Sequence, residues 1–307
     1  MQQPRPIFIV AAIYGLWTGV SLAVYGLSSL LPQAAQWYPG LFTAAVVLFV
    51  LLGCLANTLY LVWVQDSLHR HPGVRLAFFL VVSAAAGLMY AAAQHWLIKS
   101  PVFYMVYTAN LLVLANLLGS WMATVLQRQA ELVLVCLVMA LADLFSLISG
   151  PTMHFVRDIR IYYESGLAGP PPAVDFLLIK VPVPGLVHLQ PLFGVSDWII
   201  VVFLSAAAAK FYINDNLAGK GPAAMAADRK VGLYFPLGAA ALMAAILAAG
   251  FWDRFIPVLP VIGAVFSAYI LIRYSSARQL LRTDWLLMAV FTAALLGLLC
   301  LGLGLTG

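Results

Sequence analysis

The chain has 307 residues, of which 64% are hydrophobic and only 9% are charged, and its formal net charge at pH 7 is +5. A soluble domain needs more polar residues than this to cover its surface, so the composition excludes a soluble globular protein. The basic residues lie between apolar runs, so the positive charge does not indicate a nucleic-acid partner. We therefore expect a polytopic protein of the lipid bilayer.

The apolar runs predict an all-α fold with about nine membrane spans. A span takes roughly 20 residues, and lipid offers the backbone no hydrogen-bond partner, which favours helices. The stretch "MQQPRPIF" lacks a signal-cleavage pattern, so we expect the first run to be retained. We expect a four-span bundle over 1–126 and a five-span part over 127–307. The predicted spans are 7–31, 40–64, 75–97, 101–126, 130–150, 191–212, 231–251, 256–273 and 284–305.

Lysine and arginine in the connections predict the orientation, because cytoplasmic loops carry an excess of both. Of the 16 basic residues, 11 fall on the N-terminal side of the predicted membrane and 5 on the other side. This bias predicts an N-terminus inside and a C-terminus outside, and we expect a prokaryotic cytoplasmic membrane. The five residues on the outer side are Lys99, Arg157, Arg160, Lys180 and Arg254.

The connection over 151–190 is too long for a simple turn, and long connections in compact proteins are more often functional than idle. Its "GPPP" stretch, residues 169–172, breaks any helix. The stretch "VDFLLIKVPV" that follows predicts an extended segment, which Pro182 and Pro184 confine to the edge of a sheet.

Two carboxylates, Asp143 and Asp197, lie well inside apolar runs. A charged carboxylate at membrane depth costs at least ~2.5–3.5 kcal/mol, so both residues are candidates for function. The alternative for Asp197 is that it stabilises the positive end of its own helix. Asp143 precedes Gly150 by seven residues and Asp197 follows Gln190 by seven, which predicts that both lie roughly 10 Å below the same membrane face.

If those two helices pack together, their carboxylates can share a proton, because two adjacent acids cannot both ionise cheaply. Aspartic proteases use such a pair to activate water. A third element, "PVLP" at residues 257–260, opens the eighth predicted span. Its prolines free backbone groups from helical bonding, although a plain helix-starting proline is an equal alternative.

The order of these three elements resembles the presenilin and signal peptide peptidase family of intramembrane aspartyl proteases. That family carries a "YD" motif, then "GxGD", then "PAL". Here "ALADLFSLISGPT" contains Asp143, "LFGVSDW" contains Gly194 and Asp197, and "PVLP" stands at the third position. The chain departs from the family pattern at Ala142, Ser196 and Val258, which stand where the family has tyrosine, glycine and alanine.

The resemblance implies hydrolysis of a peptide bond within a transmembrane peptide or membrane-protein substrate, with Asp143 and Asp197 as the catalytic residues. It also implies a presenilin-like arrangement of the helices, with 127–307 as the catalytic part. It implies no cofactor and no metal. We expect an unwound substrate to add as a strand to the edge of the segment 175–183, with "PVLP" holding it over the acids. The residues expected to contact substrate are Ile179, Lys180, Val181, Gly194, Ser196, Pro257, Val258, Leu259 and Pro260.

Two other functions stay open at this point. A catalytically silent substrate-binding homologue fits the departures at Ala142 and Ser196. A proton-coupled transporter also places acids in the membrane, although the internal repeats common in transporters are not evident here. The sequence leaves homo-oligomer formation open.

Overall fold

The computed structural model describes residues 6–30, 40–96, 98, 100–148, 151–167, 169–252 and 255–304. This part of the chain is mostly helical, which confirms the helical class, and it also holds a small two-stranded sheet. Lys99, Gly150 and Arg254, which entered the predictions of orientation and depth, lie outside the described residues.

Within the described residues, five helices are long and apolar enough to cross a membrane, as expected of an integral membrane protein. The second of them contains a π-helical turn over Tyr60–Val64 and runs on to Arg70, six residues beyond its predicted end. The five are α1 (Pro6–Leu30), α2 (Gly40–Arg70), α3 (Pro72–Trp96), α4 (Pro101–Val125) and α5 (Ala130–Ile148).

The remaining four predicted spans stay a prediction. Two of them contain apolar helices of only 16 residues, which is shorter than the roughly 20 residues that a bilayer requires. The helices after α5 are α6 (Pro151–Glu164), α7 (Val195–Lys210), α8 (Pro222–Asp228), α9 (Leu237–Trp252), α10 (Val258–Arg273) and α11 (Arg282–Gly304).

The two strands, β1 (Leu178–Val181) and β2 (Gln190–Gly194), form an antiparallel hairpin directly before α7. The extended segment predicted before Asp197 is therefore present, but the predicted helical span over 191–212 is wrong in its first four residues. The register shifts between Ile179 and Lys180, and Lys180 lies opposite Pro191. Pro191 has no N–H to give to the ladder, which a two-stranded hairpin tolerates because both of its strands are edge strands.

The chain forms two compact units, which differ from the predicted division at residue 126. The first unit comprises Met1–Ala123 and Ala173–Ala239, and the second comprises Thr124–Pro172 and Ala240–Gly307. The first unit therefore joins the four N-terminal helices to the β-hairpin and to α7.

In the first unit, α7 is bound by close contacts with α2 and α4. An added Cβ on Gly119 of α4 would lie 2.5 Å from the backbone oxygen of Ile199, and one on Gly53 of α2 would lie 2.8 Å from the Trp198 ring. Nearly all of α7 from Trp198 to Ala208 is buried. Gly119 lets the backbones of α4 and α7 approach closely, the usual packing between membrane helices, and Gly53 leaves room for the Trp198 ring.

The second unit is built on α5, which contacts α6, α10 and α11. Arg128, just before α5, forms ion pairs at 3.1 Å with Glu131 and with Asp284 at the start of α11. Asp284 also accepts a 2.8 Å hydrogen bond from the backbone N–H of Leu281, which caps α11.

Candidate functional site

Asp143 lies on α5 of the second unit and is half-buried. Its carboxylate accepts a hydrogen bond from the backbone N–H of Leu259, within the "PVLP" stretch. Among the described residues, no lysine, arginine or histidine forms an ion pair with Asp143. Two of the three sequence elements singled out for function therefore meet within one unit.

The pairing of α5 with α10 fixes this contact. An added Cβ on Gly263 would lie 3.6 Å from the Cβ of Ala140 and 2.8 Å from the backbone oxygen of Cys136. The Cys136 thiol also hydrogen-bonds to Ser267. Along this interface the residue numbers fall on α5, from Asp143 to Cys136, while they rise on α10, from Leu259 to Ser267. The two helices therefore run antiparallel.

The prolines explain why the Leu259 N–H is available. Pro257 is the N-cap of α10, so Leu259 lies in the first helical turn, whose N–H groups have no partner within the helix. Pro260 has no N–H at all, which limits the donors of this turn to Val258 and Leu259. The N-terminal turn of α10 therefore lies against the Asp143 carboxylate. The four residues of "PVLP" are all half-buried.

Asp197 lies in the first unit, in the first turn of α7. Its Oδ2 accepts a 3.0 Å hydrogen bond from the backbone N–H of Gly194, the N-cap residue. An added Cβ on Gly194 would lie 3.2 Å from Asp197 Oδ2 and from Ser196 Oγ, so glycine leaves room for this contact. Asp197 is half-buried and Ser196 is exposed.

The predicted depth of Asp197 needs correction. Residues 190–194 form a strand, so the seven residues after Gln190 do not rise along a helix, and Asp197 is only the third residue of α7. The structural role considered as the alternative, an acid at a helix start, is thus observed. Asp143 and Asp197 belong to different compact units, and their meeting in one site stays a prediction.

The strand residues expected to contact substrate are buried in the first unit. Ile179 and Val181 have no exposed surface, and the backbone N–H of Lys180 donates to Thr108 Oγ1 on α4 at 3.4 Å. A substrate strand would have to displace that contact in order to pair with β1 at Lys180. Strand addition to this edge also stays a prediction.

The Lys180 side chain is engaged as well. Its ammonium group pairs with the fully buried Asp175 and lies 4.1 Å from the centre of the Tyr104 ring. Burial lowers the pKa of Lys180, and the Asp175 carboxylate opposes that shift. The ion pair and the ring contact hold β1 in place before α7, and the substrate contact expected of Lys180 stays a prediction.

Another buried carboxylate, Asp215, was not singled out by the sequence. It lies in the connection between α7 and α9, with 2% of its surface exposed, and both of its oxygens lie within hydrogen-bond distance of Tyr234 Oη, at 3.0 and 3.1 Å. Burial raises the pKa of Asp215 to about 7, against a smaller opposing effect of Tyr234. Its neighbours "YINDNL" are polar enough to predict an exposed loop, so only the tertiary structure reveals the burial.

Comparison of the chain with family models, with curated proteins and with solved structures finds no match. The resemblance to intramembrane aspartyl proteases therefore depends on the three motifs alone.

Proposed function

We propose that the protein is an intramembrane aspartyl protease, in which Asp143 and Asp197 activate water against a peptide bond of a transmembrane segment. The observation that supports this most is the contact between the Leu259 N–H and the Asp143 carboxylate. It joins an acid in an apolar helix to an irregular, proline-flanked backbone, the kind of element that an unwound substrate needs nearby.

The chemistry requires the two carboxylates to hold one proton between them. The ionised carboxylate takes a proton from water, and the protonated one donates a hydrogen bond to the scissile carbonyl. Attack of the water oxygen on the carbonyl carbon, with transfer of the second carboxyl's proton to the carbonyl oxygen, gives a tetrahedral gem-diol. Return of a proton to the amide nitrogen then breaks the C–N bond and releases an amine and a carboxylic acid.

The backbone contacts of both acids suit this role. A carboxylate held by a main-chain N–H keeps its orientation without a cationic partner, and a salt bridge would favour ionisation of both acids. Gly194 supplies this N–H to Asp197, and Leu259 supplies it to Asp143.

The same contacts also favour a second candidate, a catalytically silent homologue that binds transmembrane segments. An acid that caps a helix stabilises the fold whether or not it reacts, so both aspartates have a structural use. Ser196, in place of a family glycine, fits this candidate as well.

Aspartate-to-asparagine variants separate the two candidates, because asparagine keeps an acceptor oxygen for the capping N–H but cannot transfer the proton. The assay uses purified protein in lipid vesicles with a panel of single-span substrates. Asp143→Asn and Asp197→Asn should each lose cleavage by at least about 10²–10⁴-fold while remaining folded. Asp158→Asn, at an exposed carboxylate of α6, is the matched control and should cleave as wild type does.

Cleavage by either asparagine variant at the wild-type rate would refute the protease proposal. Substrate binding without turnover by the wild type, unchanged in both variants, would favour the silent homologue.

A further inference from the structure

The connection 211–236 between α7 and α9 closes on itself through a short antiparallel pairing. The backbone N–H of Leu217 donates to the Phe235 oxygen at 3.0 Å, and that of Leu237 donates to the Asp215 oxygen at 2.9 Å. The side chain of Asn216 ties the same two segments, since it bonds the Leu233 oxygen at 2.9 Å and the Phe235 N–H at 3.0 Å. We call residues 214–217 and 233–237 together the clasp.

The Asp215 and Tyr234 side chains lie on the inner face of the clasp. Tyr234 is 3% exposed, and its hydroxyl also contacts Ser205, a fully buried residue of α7. Ser205 in turn donates to the backbone oxygen of Val201 at 2.8 Å. A continuous line of hydrogen-bonding groups therefore joins the clasp to α7.

A count of protons favours a neutral Asp215 in this line. A protonated Asp215 can donate to Tyr234, Tyr234 to Ser205, and Ser205 to Val201, so that each hydroxyl both donates and accepts. An ionised Asp215 receives one proton from Tyr234, although both carboxylate oxygens lie near that hydroxyl, and one further hydrogen bond from its own backbone N–H. A buried carboxylate with few donors is costly to ionise.

The described residues around Asp215 supply no compensating charge. Among the described residues, no lysine, arginine or histidine forms an ion pair with it. The titratable groups that act on it electrostatically are Tyr234 of the clasp and the buried thiol of Cys54 on α2, neither of which carries positive charge. Lys220, in the same connection, pairs with the exposed Asp228.

We propose that Asp215 is a proton-binding site that keeps the clasp closed when protonated and opens it when the proton leaves. Ionisation places an uncompensated charge inside the clasp, and separation of residues 233–237 from 214–217 lets water reach it. Since Leu237 begins α9, opening releases the N-terminal end of that helix and the contact between Tyr234 and α7. The clasp is a pH-dependent device that does not depend on proteolysis.

Hydrogen–deuterium exchange of the full-length protein in lipid nanodiscs, at pH 6 and pH 8, tests this proposal. A pKa of about 7 gives an ionised share of about 10% at pH 6 and about 90% at pH 8. After correction for the intrinsic rate, exchange in peptides containing Leu217, Phe235 and Leu237 should therefore rise about ninefold in the wild type.

Asp215→Asn cannot ionise and should keep the pH 6 protection at both pH values, whereas Asp228→Asn, in the same connection, should respond as the wild type does. Equal wild-type protection at the two pH values, or a wild-type response in Asp215→Asn, would overturn the proposal.

Infrared spectra of protein with ¹³C-labelled aspartate give a second test that needs no change at Asp215. In an Asp143→Asn background, the carboxylic-acid C=O band should be present at pH 6 and lost by pH 8, and its absence at pH 6 would equally overturn the proposal.

Discussion

Replacing Gly263 with alanine tests whether α10 approaches α5 closely enough to hold Leu259 against Asp143. The added Cβ would lie 2.8 Å from the Cys136 oxygen, whereas ordinary contacts begin at 3.4 Å, so the helices must part by about 0.6 Å. Forcing a packed interface apart in this way costs about 1–3 kcal/mol.

Glycine-to-alanine changes also favour the helix by about 1 kcal/mol, so the variant needs a matched control. Gly87→Ala on α3 provides one, because an added Cβ there meets nothing within 4 Å. Denaturant unfolding in mixed micelles should show Gly263→Ala to be about 1–3 kcal/mol less stable than Gly87→Ala. Its cleavage rate should also fall, since the Leu259 N–H moves away from Asp143. Equal stability and equal activity in the two variants would refute the close crossing and the positioning of Asp143 that depends on it.

Three further predictions concern the other carboxylates. The pKa of Asp215 is raised from 3.8 to about 7, so between those pH values the native state binds more protons than the unfolded state. The free energy of unfolding should therefore fall by about 4 kcal/mol as the pH rises through that window. Chemical unfolding at pH 5 and pH 8 should show about 2.7 kcal/mol of this loss in the wild type, because pH 5 lies inside the window, and a similar loss in Asp215→Asn would contradict it. Lys180→Met should cost about 3–5 kcal/mol in thermal unfolding because it leaves Asp175 buried and unpaired, and adding Asp175→Leu should restore most of the loss. No recovery in the double variant would argue against the ion pair. Asp197→Ala should be about 1 kcal/mol less stable than Asp197→Asn in the same measurement, because only asparagine can accept the Gly194 N–H, and equal stabilities would exclude the cap.

Apolar run length was enough to predict the first five helices to within a few residues at most ends. It failed where local pairing competes with helix formation. Residues 191–194 are apolar enough for a span, yet they form part of β2, because pairing with β1 satisfies their backbone. The end of α2 was also missed, since the polar residues up to Arg70 mark the end of an apolar run but not of a helix.

The candidate site was predictable only in part. The acid in α5 stood out because a carboxylate is costly in lipid, and the prolines at the start of α10 stood out because they interrupt helical hydrogen bonding. The structure brings the two elements together. The burial of Asp215 could not be predicted, because it depends on Tyr234, nineteen residues further along the chain, and on Ser205 of α7. The cap formed by Asp197 required knowledge of where α7 begins.

The central claim is that Asp143 and Asp197 face one another closely enough to share one water and one proton. Disulfide formation between Asp143→Cys and Asp197→Cys, with Cys54, Cys136 and Cys300 replaced by alanine, tests it directly in lipid vesicles. A positive control restores Cys136 and adds Ser267→Cys, since those two side chains touch within the second unit. We predict that both pairs crosslink. Mild oxidation joins cysteines whose Cβ atoms lie about 3.5–4.5 Å apart, and a short thiol-reactive linker joins cysteines that lie somewhat further apart. Crosslinking of the control pair, with none between positions 143 and 197 by either reagent, would contradict the claim.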